Sequence, residues 1–448
     1  MSIFGTDGVR ARVNEYPMTI EIAMKIAVIL GNKAVQNNNG TLPRIIVGKD
    51  TRRSCYMFES AIVAGLTSAG AEAILTGPIP TPGISMLTTS LRACYGIMIS
   101  ASHNSFEDNG VKIFNHQGVK ISDAEQLEIE KLIQMPNEKF YAECKKVGKA
   151  KRLDDVVGRY VEFTKSSVSK NISFAGFKVV LDLANGSAYK IAPEIFEELG
   201  ATVHVLNNTP NGENINHECG STHPQVISQA VKKLGFDIGI AVDGDADRIT
   251  ICDELGNIID GDYIIGAITK FMLEEKRLQG NAVVLTVMSN FGLERFIHSL
   301  GLNVVRTPVG DRNVSYKMKE VGANIGGEQS GHIILSDYSK TGDGILSAIQ
   351  VVSYLIKNGL KTSDILKLFK KLPQSLENVK IDKNKKINLN DEITLNFIKE
   401  IEGKMGNNSR VLVRKSGTEN LLRIMVESES EDKNKTYLKQ LIEYFKNQ

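Results

Sequence analysis

The chain has 448 residues, 42% hydrophobic and 24% charged, with a formal net charge of +2. That length implies three or four domains at ~100–200 residues each. The near-neutral balance excludes a global field that would gather nucleic acid or an anionic membrane. Five scattered cysteines without a C-x-x-C pair argue against a disulfide frame or a structural zinc site. The start "MSIFGTDGVR" has no apolar signal core, and no apolar run reaches the ~18 residues of a membrane span, so a cytoplasmic protein is expected.

In chain order, "FGTDGVR" comes first and puts Arg10 beside a Gly-rich turn, where it can add positive charge to an anion site. Residues 44–82 then read as a β-branched strand, an amphipathic helix stopping at Gly70, and a second strand ending in Thr81-Pro82. Within them "VGKDTRRS" sets Lys49, Arg52 and Arg53 after the strand, as further anion contacts or as solvated surface. The same order returns at 178–210, with Gly200 and Thr209-Pro210, and at 282–308, with Gly301 and Thr307-Pro308. A β-α-β unit used three times predicts α/β domains with mixed or parallel sheets covered by helices.

Between the first two copies lies "YGIMISASHNSFEDNGVK". Its apolar start places Ser100 and Ser102 at a strand's C-terminal end, where ligands bind in open α/β sheets. A serine nucleophile needs a base or electrostatic partner, and His103 or Lys112 could supply it. Taken alone, the loop reads more readily as a cap and turn, with Asn104 a turn residue.

The sharpest signal is "AVDGDADRITICDELG". Asp243, Asp245 and Asp247 crowd like charges at the end of an apolar strand, a cost that a bound divalent cation relieves. An EF-hand is rejected because Arg248 stands where the sharp turn needs glycine and because strands flank the loop. In "IGGEQSGHIILSD", Glu328, Gln329, Ser330 and His332 suit hydrogen bonding to several sugar hydroxyls, or form an exposed hairpin tip. In "VRKSGTENLLR", Arg414, Ser416, Gly417, Thr418 and Arg423 surround a turn able to cradle phosphate, in a small C-terminal α+β unit. His116, His204 and His298 read as structural. His217 and His223 flank Cys219 with no standard zinc spacing, which favours a polar loop.

These segments, in this order and one per domain, resemble the α-D-phosphohexomutase family over nearly the whole chain. The expected domains are 1–152, 153–255, 256–370 and 371–448, carrying a phosphoserine, a metal, a sugar and a phosphate loop in turn. The resemblance implies that Ser102 carries the transferred phosphate and completes a Mg²⁺ site, one per chain, with Asp243, Asp245 and Asp247. It implies that Glu328 and Ser330, with His332 beside them, bind the sugar, and that Arg414, Ser416, Gly417, Thr418 and Arg423 hold the non-reacting phosphate. His103 and Lys112 match positions for proton transfer, and Arg10 joins the catalytic set.

The features "ISASHN", "CGSTHP", "VMSN" and Gln329 favour the glucosamine-phosphate branch of the family. The expected substrate is a hexosamine monophosphate. A glucosamine 1,6-bisphosphate or related hexose bisphosphate would serve as activator, and the product would feed cell-wall precursor synthesis. No nucleic-acid or membrane partner is expected, and a homodimer is left open. Two departures stand out: Ser105 follows "SHN", and Lys415 and Asn420 replace the prolines of the family's "RPSGTEP", which implies looser loops. The rival readings are a phosphomannomutase or phosphoglucomutase, a Mg²⁺-dependent phosphatase, and a non-catalytic sugar-phosphate sensor. Turnover of a sugar between two phosphate sites also predicts a cleft that opens and closes, with the last domain moving.

Overall fold

The computed structural model describes residues 2–5, 7–37, 43–380, 388–389, 391–406, 408–415 and 421–447. They form two compact units, Met1–Met288 with Leu302–Leu368, and Ser289–Gly301 with Phe369–Gln448. Among the described residues no helix is long and apolar enough to cross a membrane.

The first unit holds three mixed sheets. In the six-stranded first sheet the order is Val9–Arg12, Asp108–Asn115, Tyr95–Ile99, Arg44–Lys49, Glu72–Pro78, Ala150–Arg152. Its central strands are parallel, and Asp108–Asn115 runs antiparallel to both of its neighbours. Alternation is clear along the strands. Ile45, Val47, Ile97 and Ile99 enter a core with helices Ile20–Gln36 and Cys55–Ser68, so one face of the sheet is dry.

The second sheet runs Ile258–Ile259, Ile249–Asp253, Ile238–Val242, Lys178–Asp182, Thr202–Leu206. The third runs Asn303–Thr307, Ala282–Thr286, Ile325–Gly327, Ile333–Leu335. All three β-α-β copies are present, each with a parallel strand pair: 44–49 with 72–78, 178–182 with 202–206, and 282–286 with 303–307. Gly70, Gly200 and Gly301 all adopt positive φ, as a left-handed stop requires. The Thr-Pro punctuation is less uniform than expected. Thr81-Pro82 does not end a strand but opens the helix Thr81–Ser90, whose first turn accepts proline because no helical partner is lost there.

Each copy is followed by an antiparallel return. Strands 95–99 and 108–115, 238–242 and 249–253, and 325–327 and 333–335 are three hairpin-like pairs. Their tips are residues 100–107, 243–248 and 328–332, so each sheet carries one of the expected chemical loops at the same topological place.

The second unit has a three-stranded antiparallel sheet, Gln374–Lys380, Leu421–Glu427, Arg410–Lys415, with helices Glu392–Met405 and Glu431–Asn447. Its core joins Ile401, Leu422, Ile424, Val426 and Leu441. The strand 374–380 is absent from the sequence reading. Its composition, "QSLENVK", is polar and largely exposed and shows no alternation.

Candidate active site

Ser102 is buried and sits in left-handed backbone, φ +54, a region costly for a side chain with Cβ. Its Oγ donates to Asp243 Oδ2 at 2.5 Å, and His103 Nδ1 lies 3.4 Å from the same Oγ. Ser100 does not compete for the nucleophile role. Its Oγ accepts the Ser102 backbone N–H at 2.9 Å and so shapes the turn. Asn104 is a turn residue as expected, its N–H meeting the Ala101 carbonyl and its Nδ2 meeting Asp108.

Asp243, Asp245 and Asp247 are all buried, and one carboxylate oxygen from each can be chosen so that all lie within 4.8 Å of one another. They are the only group of metal-ligating acids, histidines or cysteines found among the described residues, so the His217–Cys219–His223 segment forms no metal site there. Asp245 Oδ1 and Asp247 Oδ1 are buried with no hydrogen-bond partner among the described residues. Buried, unpartnered hard oxygens fit a divalent cation of the Mg²⁺ or Ca²⁺ kind. The electrostatics agree: burial, then Asp247 and Asp245, push the Asp243 carboxyl up to about 8.

Lys112 offsets part of this charge. Its Nζ reaches Asp245 Oδ2 at 2.7 Å, Asp247 Oδ2 at 2.8 Å and Asp7 at 3.3 Å. Burial works against its charge, but Asp245, Asp247 and Asp7 outweigh it and hold the amine protonated. Asp7 in turn accepts from Arg10 at 2.5 Å and from Lys120, which also pairs with Asp311. Although burial opposes it, Lys112, Lys120 and Arg10 hold the Asp7 carboxyl well below the usual carboxylate range. His103 goes the other way: burial, then Arg248 and Arg10, pull its imidazole down to about 4, which keeps it neutral near pH 7.

The sugar-loop residues adjoin this cluster. A bridge pairs Arg248 with His332, tying the 243–248 tip to the 328–332 tip. His332 Nε2 accepts the Gly342 N–H at 3.0 Å, which leaves Nδ1 to carry its proton 3.7 Å from Asp247 Oδ1. Glu328 accepts the Gly310 N–H at 2.9 Å and the Ser330 hydroxyl at 3.2 Å, and Ser330 is exposed. The structure therefore gathers Arg10, Ser102, His103, Lys112, the three acids and His332 into one charged cluster.

Arg414 and Arg423 lie in the second unit as register partners on its antiparallel strands. Burial, then Arg423, lowers the affinity of Arg414 for its proton, and Arg423 Nε is buried with no partner among the described residues. Two guanidinium groups opposed with no acid between them among the described residues invite an anion. Ser416, Gly417 and Thr418 lie outside the described residues.

Of the three basic residues in "VGKDTRRS", Arg53 lies on solvated surface, whereas Lys49 and Arg52 are buried in ion pairs. Lys49 is buried against Glu59 at 2.6 Å, and Arg53 is exposed beside Glu213. Arg52 is fully buried and paired with Asp50.

Comparison with known proteins agrees with this layout. The chain matches the "Phosphoglucomutase/phosphomannomutase" alpha/beta/alpha domains I, II and III over residues 1–140, 158–256 and 260–372, and the C-terminal domain over 376–443. It is 48% identical to a phosphoglucosamine mutase of Phenylobacterium zucineum, covering 96% of this chain and 94% of that one. A phosphoglucomutase/phosphomannomutase family protein of Burkholderia thailandensis has the same fold, with TM-score 0.82 at 21% identity, covering 99% of this chain and 98% of that one. So does the N-acetylphosphoglucosamine mutase of Aspergillus fumigatus, solved with GlcNAc-6P and magnesium, with TM-score 0.68 at 16% identity over 98% and 94% of the two chains. With all four family domains in order and close to half its residues shared with a curated relative, the chain belongs to the phosphoglucomutase/phosphomannomutase family, the α-D-phosphohexomutases.

Proposed function

We propose that the protein interconverts glucosamine 6-phosphate and glucosamine 1-phosphate, with Ser102 as the phosphoryl carrier and a hexosamine 1,6-bisphosphate as intermediate and activator. The observation that carries the reading is the Ser102 Oγ poised 2.5 Å from Asp243 inside a buried carboxylate triad. The choice of sugar rests on relatives of 46–48% identity that bear the name phosphoglucosamine mutase.

The bond from phosphorus to Ser102 Oγ breaks as a new one forms to the free 1- or 6-oxygen of the sugar, whose hydroxyl proton must go to a base and from there to the departing Oγ. His103 and Lys112 are the groups at hand. Lys112 is engaged by Asp245 and Asp247, which leaves the His103 imidazole as acceptor. The bisphosphate then reorients and returns its other phosphoryl group to Ser102. Asp243, Asp245 and Asp247 would hold the cation, with a phosphate oxygen on Ser102 as a further ligand. A bound Mg²⁺ neutralises charge on the moving phosphoryl group, the main requirement of this chemistry. Glu328, Ser330 and His332 would orient the sugar, and Arg414 and Arg423 would grip the phosphate that does not react.

The test pairs peptide mass spectrometry for phosphate on Ser102 with a substrate panel of glucosamine, glucose and mannose phosphates plus a bisphosphate activator. Preferred turnover of glucosamine phosphate and an inert Ser102→Ala variant are expected. Preference for mannose 1-phosphate would reassign the substrate, and net release of inorganic phosphate without isomerised sugar would make the protein a phosphatase.

A further inference from the structure

The segment 211–224, "NGENINHECGSTHP", takes no part in the chemistry above, yet it touches the nucleophile. Asn216 Nδ2 donates to the Ser102 carbonyl at 2.9 Å and to the Asn104 carbonyl at 2.9 Å. Arg52 meets the same two carbonyls, its NH2 at 3.1 Å and 2.6 Å. The amide orientation of Asn216 follows from this, since the flipped amide would set its oxygen against two carbonyl oxygens, although Oδ1 as placed is buried with no hydrogen-bond partner among the described residues. Arg52 is itself held by an ion pair with Asp50, whose other oxygen takes the Arg52 backbone N–H at 2.9 Å.

We infer that Arg52 and Asn216 are positioning residues for phosphoryl transfer: together they clamp the backbone of the Ser102 loop in the left-handed conformation that turns Oγ toward Asp243. Three observations support this. A carbonyl withdrawn from water must be paired, and these two, one buried and one half-buried, carry two donors each. A serine does not hold φ +54 unaided, so neighbouring contacts must fix it. Gly244, between the first two acids, completes the grip: a Cβ there would stand 2.8 Å from the Ser102 oxygen and 2.8 Å from Asn216 Nδ2. The clamp and the acid loop thus share one contact surface. Because it grips the carbonyl and not the hydroxyl, it stays in place whether or not Oγ carries phosphate.

The inference rests on the phosphoserine reaction proposed above. It is tested with Asn216→Ala and Arg52→Lys, the latter keeping the charge opposite Asp50. Steady-state kinetics with glucosamine 1-phosphate, intact mass after incubation with glucose 1,6-bisphosphate, and a crystal structure of Asn216→Ala are compared with wild type. The expected result is a kcat lower by about 10- to 100-fold, with KM within about threefold of wild type. Phosphate loading of Ser102 is slowed in parallel, and Ser102 leaves positive φ. A folded Asn216→Ala with wild-type kcat, or one whose Ser102 keeps its backbone and its contact with Asp243, overturns the clamp. Failure of both variants to fold would assign the pair to stability alone and overturn it too. If wild type neither isomerises sugar phosphate nor takes phosphate on Ser102, the reaction is wrong, and the clamp is judged by the Ser102 backbone in the Asn216→Ala crystal structure.

Discussion

Thr81 closes on Asp245 twice: its hydroxyl donates to the Oδ2 of that carboxylate, and its backbone N–H donates to the Asp245 carbonyl at 2.9 Å. Both residues are fully buried, so the carboxylate is fixed with Oδ1 left unpartnered. Thr81→Val keeps the shape and removes the hydroxyl. Outer hydrogen bonds of this kind tune metal affinity by about 10- to 100-fold. The Mg²⁺ concentration for half-maximal activity should therefore rise about tenfold in Thr81→Val, and an unshifted titration would deny Asp245 a place among the ligands.

Lys112 and a metal ion answer the same excess of negative charge. Removing Lys112 leaves Asp7, Asp245 and Asp247 without their shared cation. Breaking a buried ion pair by deleting one partner costs about 3–5 kcal/mol. Lys112→Met should lose roughly that much in chelator, measured by urea unfolding, and recover most of it when Mg²⁺ is restored. Wild type should respond less to the same change, because its lysine already answers part of the charge.

The paired guanidinium groups of Arg414 and Arg423 predict a binding effect. Arg414→Gln removes one charge-assisted partner, worth about 1.5–3 kcal/mol. The KM for the sugar phosphate should rise about 10- to 100-fold, while Ser102 can still be loaded with phosphate. An unchanged KM would remove Arg414 from the substrate contacts.

Asp343 sets a pH dependence of stability. It caps the helix Gly344–Asn358 through Leu346 N–H and accepts the Tyr160 hydroxyl at 2.8 Å. Burial pushes its carboxyl up to about 6 from an ordinary 3.8. The folded state therefore holds this proton more tightly than the unfolded chain. The contribution is fully present below about pH 4 and is lost as pH rises through about 6, a change of about 3 kcal/mol. Asp343→Asn lacks the titration. The wild-type minus variant difference in unfolding free energy should fall by about that amount from pH 4 to pH 7, and a flat difference would contradict the raised value.

The β-α-β copies are legible in the sequence because parallel strands buried on both faces show as short β-branched runs, and because glycine marks each helix stop. The strand that returns after each copy is less legible: after the second it shows as a flank of the acid loop, after the third only as one side of a possible hairpin tip, and after the first not at all. The return strands 108–115 and 249–253 mix polar and apolar residues, and 333–335 is only three apolar residues long, so their shared place after each copy is hidden, although "YGIMIS", "GIAVDGD" and "NIGGEQS" all step from apolar run to polar tip. The acid triad is legible because crowded carboxylates need an explanation on the page itself. Asn216 is not: an asparagine in an Asn- and Gly-rich stretch reads as a turn residue, and its partner Ser102 is 114 positions away. Arg52 is hidden for a similar reason. Its burial depends on Asp50 and on carbonyls around position 103, so "KDTRRS" looks like a solvated basic patch until the chain folds back on it.

The order in which the chain is made bears on when it can react. Ser102 leaves the ribosome more than a hundred residues ahead of Asn216 and the acids at 243, 245 and 247. A nascent chain that has completed only the first sheet displays the serine with one half of its backbone grip and none of the carboxylates that face its hydroxyl. Chemical competence therefore arrives late in synthesis, with the second sheet, and a truncated product ending before residue 210 carries the nucleophile in a loop held by Arg52 without Asn216 and without the acids its hydroxyl faces.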